Sequence, residues 1–147
     1  MSPVGRFRFS LETVLKVRGL REEQAKAEVA RAQQELERSR RALKESQELR
    51  TRLLQELQSG EKEWTPQDFL IFRAYLDHLK TAVEGFKQRI QEQEMAVQEK
   101  MEILKQRYQE RRLLEQLRQK RYAQFRRELM KDMEKETEAI VLGRWNL

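Results

Sequence analysis

Between Gly85 and Gly143 lie 57 residues without a glycine or a proline, most of them Glu, Gln, Lys, Arg, Leu and Met. These straight-chain residues lose little on entering a helix. A helix so long and so polar cannot bury itself in a globular core. It must be held by a coiled coil or by a partner. The rest of the chain agrees. Of 147 residues, 38% are hydrophobic and 38% charged, and five Gly and two Pro cannot supply the turns of a sheet protein. A narrow apolar seam without a thick core leaves little room for an enclosed active-site cleft.

Seven-residue spacing defines a first helix, predicted at about 10–58. One row is Leu15, Glu22, Val29, Leu36, Leu43, Arg50 and Leu57. The other is Leu11, Arg18, Ala25, Ala32, Ser39, Ser46 and Leu53. Ser10 is the expected N-cap. Gly19 weakens the early turns by about 0.8–1.0 kcal/mol relative to Ala. A break follows at about 59–65, from Ser59-Gly60 to Trp64-Thr65, with Gly60 suited to a helix C-terminus. Thr65-Pro66-Gln67-Asp68 then places an N-cap threonine before an N1 proline, with an acid in the first turn.

The second helix is predicted at about 66–142. Phe69, Leu76, Val83, Ile90, Val97 and Leu104 form one row, and Phe72, Leu79, Phe86 and Gln93 the other. Beyond Leu104 those rows reach Arg107, Arg111, Arg118 and Arg121, while apolar residues recur at Met101, Tyr108, Leu113, Leu114, Leu117, Tyr122, Phe125 and Leu129. This pattern predicts a stutter. The fold class expected is all-α: an elongated antiparallel two-helix coiled coil, a single α-helical hairpin with the second helix longer. Two registers one heptad apart fit. In one, Leu53 meets Phe69, Ala32 meets Ile90 and Arg18 meets Leu104. In the other, Leu53 meets Leu76, Ala32 meets Val97 and Leu15 meets Leu114. Small residues of the first helix face bulky ones of the second in both. From the two helix lengths, the part of the second helix from about Arg112 is expected to lack an intramolecular partner.

That part carries much of the charge. Lys105 to Lys131 contains ten Lys/Arg and three Glu, a local net of +7 within a chain of +6. A basic helix can meet nucleic acid, an acidic membrane surface or an acidic protein surface. Basic regions of leucine zippers lie N-terminal to their seam, whereas this one lies C-terminal to it and is interrupted by acids. Nucleic acid is therefore not the expected partner. Leu113, Leu114, Leu117 and Phe125 form only a partial apolar face for a membrane surface.

Catalytic chemistry finds no support. His78 is the single histidine, cysteine is absent, and no Gly-rich phosphate loop occurs. Carboxylates alternate with basic residues at helical spacing and read as solvated ion pairs. No catalytic residue, metal site or cofactor is expected, and the chain is read as a non-enzyme. No apolar window approaches the roughly 18 residues of a membrane span, and the segment from Met1 to Arg8 gives no secretory signal. Ile71, Tyr75 and His78, at i, i+4 and i+7, form a stripe off the seam near the hairpin tip. It reads either as scattered exposure or as a docking patch.

Phe7-Arg8-Phe9-Ser10-Leu11-Glu12-Thr13-Val14-Leu15-Lys16-Val17-Arg18 resembles the Phe-x-Phe-x-Leu-x-x-Val-Leu-x-x-Arg opening typical of the flagellar export FliJ family. Glu22, Glu23, Ala25 and Ala27 follow, as in its Glu/Ala-rich helix. Leu114-Glu115-Gln116-Leu117-Arg118-Gln119-Lys120-Arg121-Tyr122 is similar to the family's Leu-Glu-x-Leu, basic, Tyr stretch. The chain departs from it at Thr137-Glu138-Ala139, where many members carry Asp-Glu before Ala.

The resemblance implies a two-helix coiled coil similar to the central stalk (γ subunit) of rotary ATPases. It implies binding and stimulation of the hexameric flagellar export ATPase, contact with the cytoplasmic domain of the export gate membrane protein, and contact with substrate-specific export chaperones. A cytoplasmic location at the flagellar base follows, peripheral to the membrane through partners. Carried onto this chain, the ring-binding end is Phe7, Phe9, Leu11, Val14 and Arg18 with Leu114, Leu117, Arg118, Arg121 and Tyr122. The gate-facing tip is Ile71, Phe72, Tyr75, Leu76 and His78. A structural coiled-coil spacer or dimerisation module, and a basic nucleic-acid-binding helix, are the rival readings.

Overall fold

The computed structural model describes residues 6–60 and 63–145. Glu61 and Lys62, part of the predicted break, lie outside the described residues, as does the N-terminal segment before Arg6. The described residues form two helices: α1, Glu12–Ser59, and α2, Pro66–Trp145, of 48 and 80 residues. The all-α, two-helix hairpin expected from the heptad rows is what forms.

The helix ends follow local chemistry. Gly60 has φ of 68°, the left-handed conformation that closes a helix C-terminus without a Cβ clash. Thr65 and Asp68 make a reciprocal capping box. The Asp68 N–H donates to Thr65 Oγ1 at 3.1 Å and the Thr65 N–H donates to Asp68 Oδ2 at 3.3 Å. At the start of α1 the expectation needs correcting. The Glu12 N–H donates to the Phe9 carbonyl in a turn, and the first helical bond runs from the Leu15 N–H to the Leu11 carbonyl. Leu11, not Ser10, therefore occupies the cap position.

Two compact units divide the chain. One consists of Met1–Gln24 and Leu104–Leu147, the other of Ala25–Ile103. Antiparallel segments of α1 and α2 form the second unit. Ala25, Val29, Leu36, Phe72, Leu79, Val83 and Val97 are buried there, together with the seam residue Ser39. These are the predicted rows. Burying each larger apolar side chain contributes about 1.5–3 kcal/mol. Trp64 packs edge-on against Phe72 at 4.9 Å between ring centroids and closes the tip end of the seam. The ion pair of Lys100 with Glu28, at 3.1 Å, selects the second register, because the first would put Glu28 beside Glu94.

In the other unit the buried side chains are Phe9 and Glu22. Here α1 and α2 are laced by charge: Arg18 Nη1 to Glu110 at 2.6 Å, Arg118 Nε to Glu12 at 2.9 Å, and Arg111 to Glu22. These pairs again fit the second register, since the first would set Arg18 against Leu104. Up to Leu114 no stutter occurs: Leu104, Arg107, Arg111 and Leu114 stay half-buried in heptad phase, while Tyr108 and Leu113 point outward. Beyond it Arg118 and Arg121, next in the rows, are exposed, and Leu117 and Leu129, off the rows, are half-buried. Arginines keep their seam places because glutamates stand beside them. Hydrophobicity alone reads such a layer as lost phase.

Candidate partner-docking site

The predicted ring-binding residues fall in the first unit. From Arg6 to Leu11 the chain precedes the helix and runs along α2. A turn closed by the Glu12 N–H on the Phe9 carbonyl joins this short arm to the helix. Phe7 reaches Tyr122, with ring centroids 5.2 Å apart and edge-on, and Phe125 at 5.7 Å. Aromatic pairs of this geometry contribute about 0.5–1.5 kcal/mol beyond their burial. The Arg118 guanidinium lies 5.8 Å from the Phe7 ring centre while its Nε holds Glu12. The expected absence of any partner for α2 from about Arg112 is thus overturned. Cover extends to Phe125 and Leu129, and the fully exposed stretch begins at Met130. Helix lengths alone set the start of α1 opposite about Arg112, whereas in the second register Glu12 stands beside Arg118 and Phe7 continues to Tyr122.

Beside this aromatic cluster lies an open cleft of about 610 Å³, lined by Arg6, Phe7, Arg8, Phe9, Arg121 and Phe125 among others, with Glu128 as its acid. Three guanidinium groups around phenylalanine rings suit an acidic surface that also offers an apolar side chain. Of the ten residues assigned to this end, Phe7, Arg118 and Tyr122 touch as a cluster, and Phe9 and Arg121 line the cleft. Leu11, Leu114 and Leu117 are half-buried along the helix pair, and Val14 is exposed. Arg18 stands apart in the ionic layer.

That layer comprises Arg18, Glu22, Arg107, Glu110, Arg111 and Glu115. Arg111 donates to Glu22 through Nε and to Glu115 through Nη1 at 2.6 Å. The hydrogen bond from Arg111 to Glu22 raises the arginine's pKa, partial desolvation opposes that, and the charges of Glu22 and Glu115 add to it. For Glu110, partial desolvation favours the neutral acid. The hydrogen bond and charge of Arg18, then those of Arg107, outweigh it and hold the carboxyl below its ordinary value. Sequence reasoning missed Glu12, Glu22, Glu110 and Arg111 as site-shaping residues. The signal was present: in the second register these acids stand opposite arginines.

At the tip of the other unit, Ile71 is 64% and Tyr75 44% exposed, with Phe69 and Leu70 also open. His78 is exposed and Leu76 half-buried. Phe72 is buried under Trp64 and supports the patch from inside.

Among the described residues no group of His, Cys, Asp and Glu could hold a metal ion, and no helix is long and apolar enough to cross a membrane. Residues 7–140 match the family model described as Flagellar FliJ protein. Neither the curated proteins nor the solved structures offer a significant match. A match over nearly the whole chain, with the two-helix architecture and the opening motif in place, establishes the lineage: the chain belongs to the flagellar FliJ protein family and is a component of the flagellar export apparatus.

Proposed function

We propose that the chain is a non-enzymatic stalk and escort that binds the hexameric export ATPase, stimulates it, and links it to the export gate and to substrate chaperones from a cytoplasmic position at the flagellar base. The reading rests chiefly on the cluster of Phe7, Arg118 and Tyr122 beside the arginine-lined cleft. Such a surface suits a ring whose lining offers acidic and polar groups. Stimulation would arise from unequal contact with the ring's conformational states, since only a difference in affinity shifts an equilibrium. The exposed Ile71 and Tyr75, with His78 beside them and Phe72 and Leu76 beneath, would meet the gate.

ATP hydrolysis by the export ATPase, measured with and without the chain, tests this. Arg121→Glu lines the cleft without touching the ionic layer and is expected to reduce stimulation about tenfold at unchanged helicity. Arg118→Glu is expected to do the same while also loosening the arm. Full stimulation by a folded Arg121→Glu variant would count against the proposal. Tyr75→Ala is expected to leave stimulation intact and weaken binding to the isolated gate domain.

A further inference from the structure

From Met130 to Trp145 every residue of α2 is exposed, and Met130, Met133, Ile140, Val141, Leu142 and Trp145 are each at least 47% open to solvent. At about 100° per residue, Arg126, Met130, Met133, Thr137 and Val141 share one face. It points away from Arg121 and the cleft, and Tyr122, which holds Phe7, lies at its edge. A shallow groove of about 350 Å³ runs along it between Met130, Met133, Glu134, Thr137 and Glu138. Beyond the arm, none of the described residues of the unit covers this face.

Charge along the same stretch identifies the occupant. Arg118 to Arg127 holds five basic residues and no acid. Glu128 to Glu138 holds five acids and two lysines. Along one flank of the face Lys120, Arg127 and Lys131 precede Glu134 and Glu138, so this flank reverses sign just beyond Met130, with apolar side chains at the crossover. Laid against a second copy running the other way, it meets its own complement. Laid parallel, it meets like charge. A two-fold axis gives this kind of self-complementary contact.

We propose that two copies of the chain pair antiparallel through this face of α2, crossing between Met130 and Met133. Met130 of each copy packs on Met133 of the other, and Arg126 stands opposite Thr137. On the flank, Arg127 of one copy lies between Glu134 and Glu138 of the other, because like flanks face each other in an antiparallel pair. This pairing goes beyond ATPase binding and does not depend on it.

Sedimentation velocity on the full chain over a concentration series tests the idea. At low salt the chain is expected to form dimers, and raising the salt is expected to weaken them. Arg126→Glu with Arg127→Glu makes the whole end acidic, and Glu134→Lys with Glu138→Lys makes it basic. All four positions are exposed, so helicity is expected to persist. Each variant alone is expected to dimerise about tenfold more weakly or worse, and an equimolar mixture of the two to recover association. A wild-type chain that stays monomeric throughout overturns the proposal. So do variants that dimerise as well as wild type, or a mixture that stays monomeric.

Because the chain has no cysteine, a second measurement is independent of charge. Met130→Cys and Met133→Cys chains, mixed under mild oxidation, are expected to cross-link. Gln124→Cys, on the covered side beside the cleft, is expected not to. Equal cross-linking of all three overturns the assigned face.

Discussion

Arg111 donates to the carboxylate of Glu22, which is only 5% exposed and sits between Leu15 and Val29 in its heptad row. A buried carboxylate left without its arginine keeps the cost of desolvation, about 1–3 kcal/mol. Arg111→Ala is therefore expected to lower unfolding stability by that amount, read from urea midpoints. Replacing both residues by leucine is expected to restore stability while weakening the preference for one register. A single-variant loss that persists in the double variant would contradict this account.

Glu110 contributes to the pH dependence. Its folded pKa lies below the ordinary glutamate value, because Arg18 and Arg107 outweigh partial desolvation. A depressed carboxyl stabilises the fold fully above its unfolded pKa, and the contribution disappears as pH falls through the folded value. Melting temperature is thus expected to drop on acidification below the ordinary carboxylate range, and Glu110→Gln to flatten part of that decline. A carboxyl titration followed by NMR should place the Glu110 midpoint on the acid side of a reference glutamate.

Glycines inside helices offer the opposite test. A Cβ at Gly19 or Gly85 meets nothing within 4 Å. Alanine at either site is expected to stabilise the chain by about 0.8–1.0 kcal/mol. Gly60 is equally uncrowded, but its φ of 68° strains any L side chain, so Gly60→Ala is expected to cost about 1–2 kcal/mol. Thermal melts of the three variants should therefore split in sign.

The capping box at α2 has a value of its own. Thr65→Ala removes the acceptor for the Asp68 N–H and leaves only the bond from the residue 65 N–H to Asp68 Oδ2. About 1 kcal/mol of stability is expected to be lost, and Thr65→Ser to recover most of it. Hydrogen exchange at Gln67 and Asp68 should rise in the alanine variant alone.

Much of this was legible from residue order. Gly60 and the Thr65-Pro66 pair marked the reversal, and the rows through Val29, Leu36, Leu79 and Val83 marked what is buried. What escaped was the layer made of charge. An arginine at 107 or 111 is indistinguishable from a surface residue until the facing strip of α1 is aligned, and alignment required choosing between two registers. The arm escaped for a different reason. Residues 6–11 carry no helical period, so nothing in their spacing says that Phe7 lies against Tyr122. The aromatic pattern of Phe7, Phe9, Tyr122 and Phe125 was visible. Which rings would meet was not.

Where charge rather than oil fastens two strips of helix, the fastening answers to its surroundings. Dissolved ions, or a rival anion offered by another molecule, compete directly for Arg18, Arg111 and Arg118. The contacts of Glu12, Glu22 and Glu110 can thereby be exchanged for new ones without dismantling an apolar interior. The grip of residues 6–24 on α2 is therefore expected to loosen as ionic strength rises.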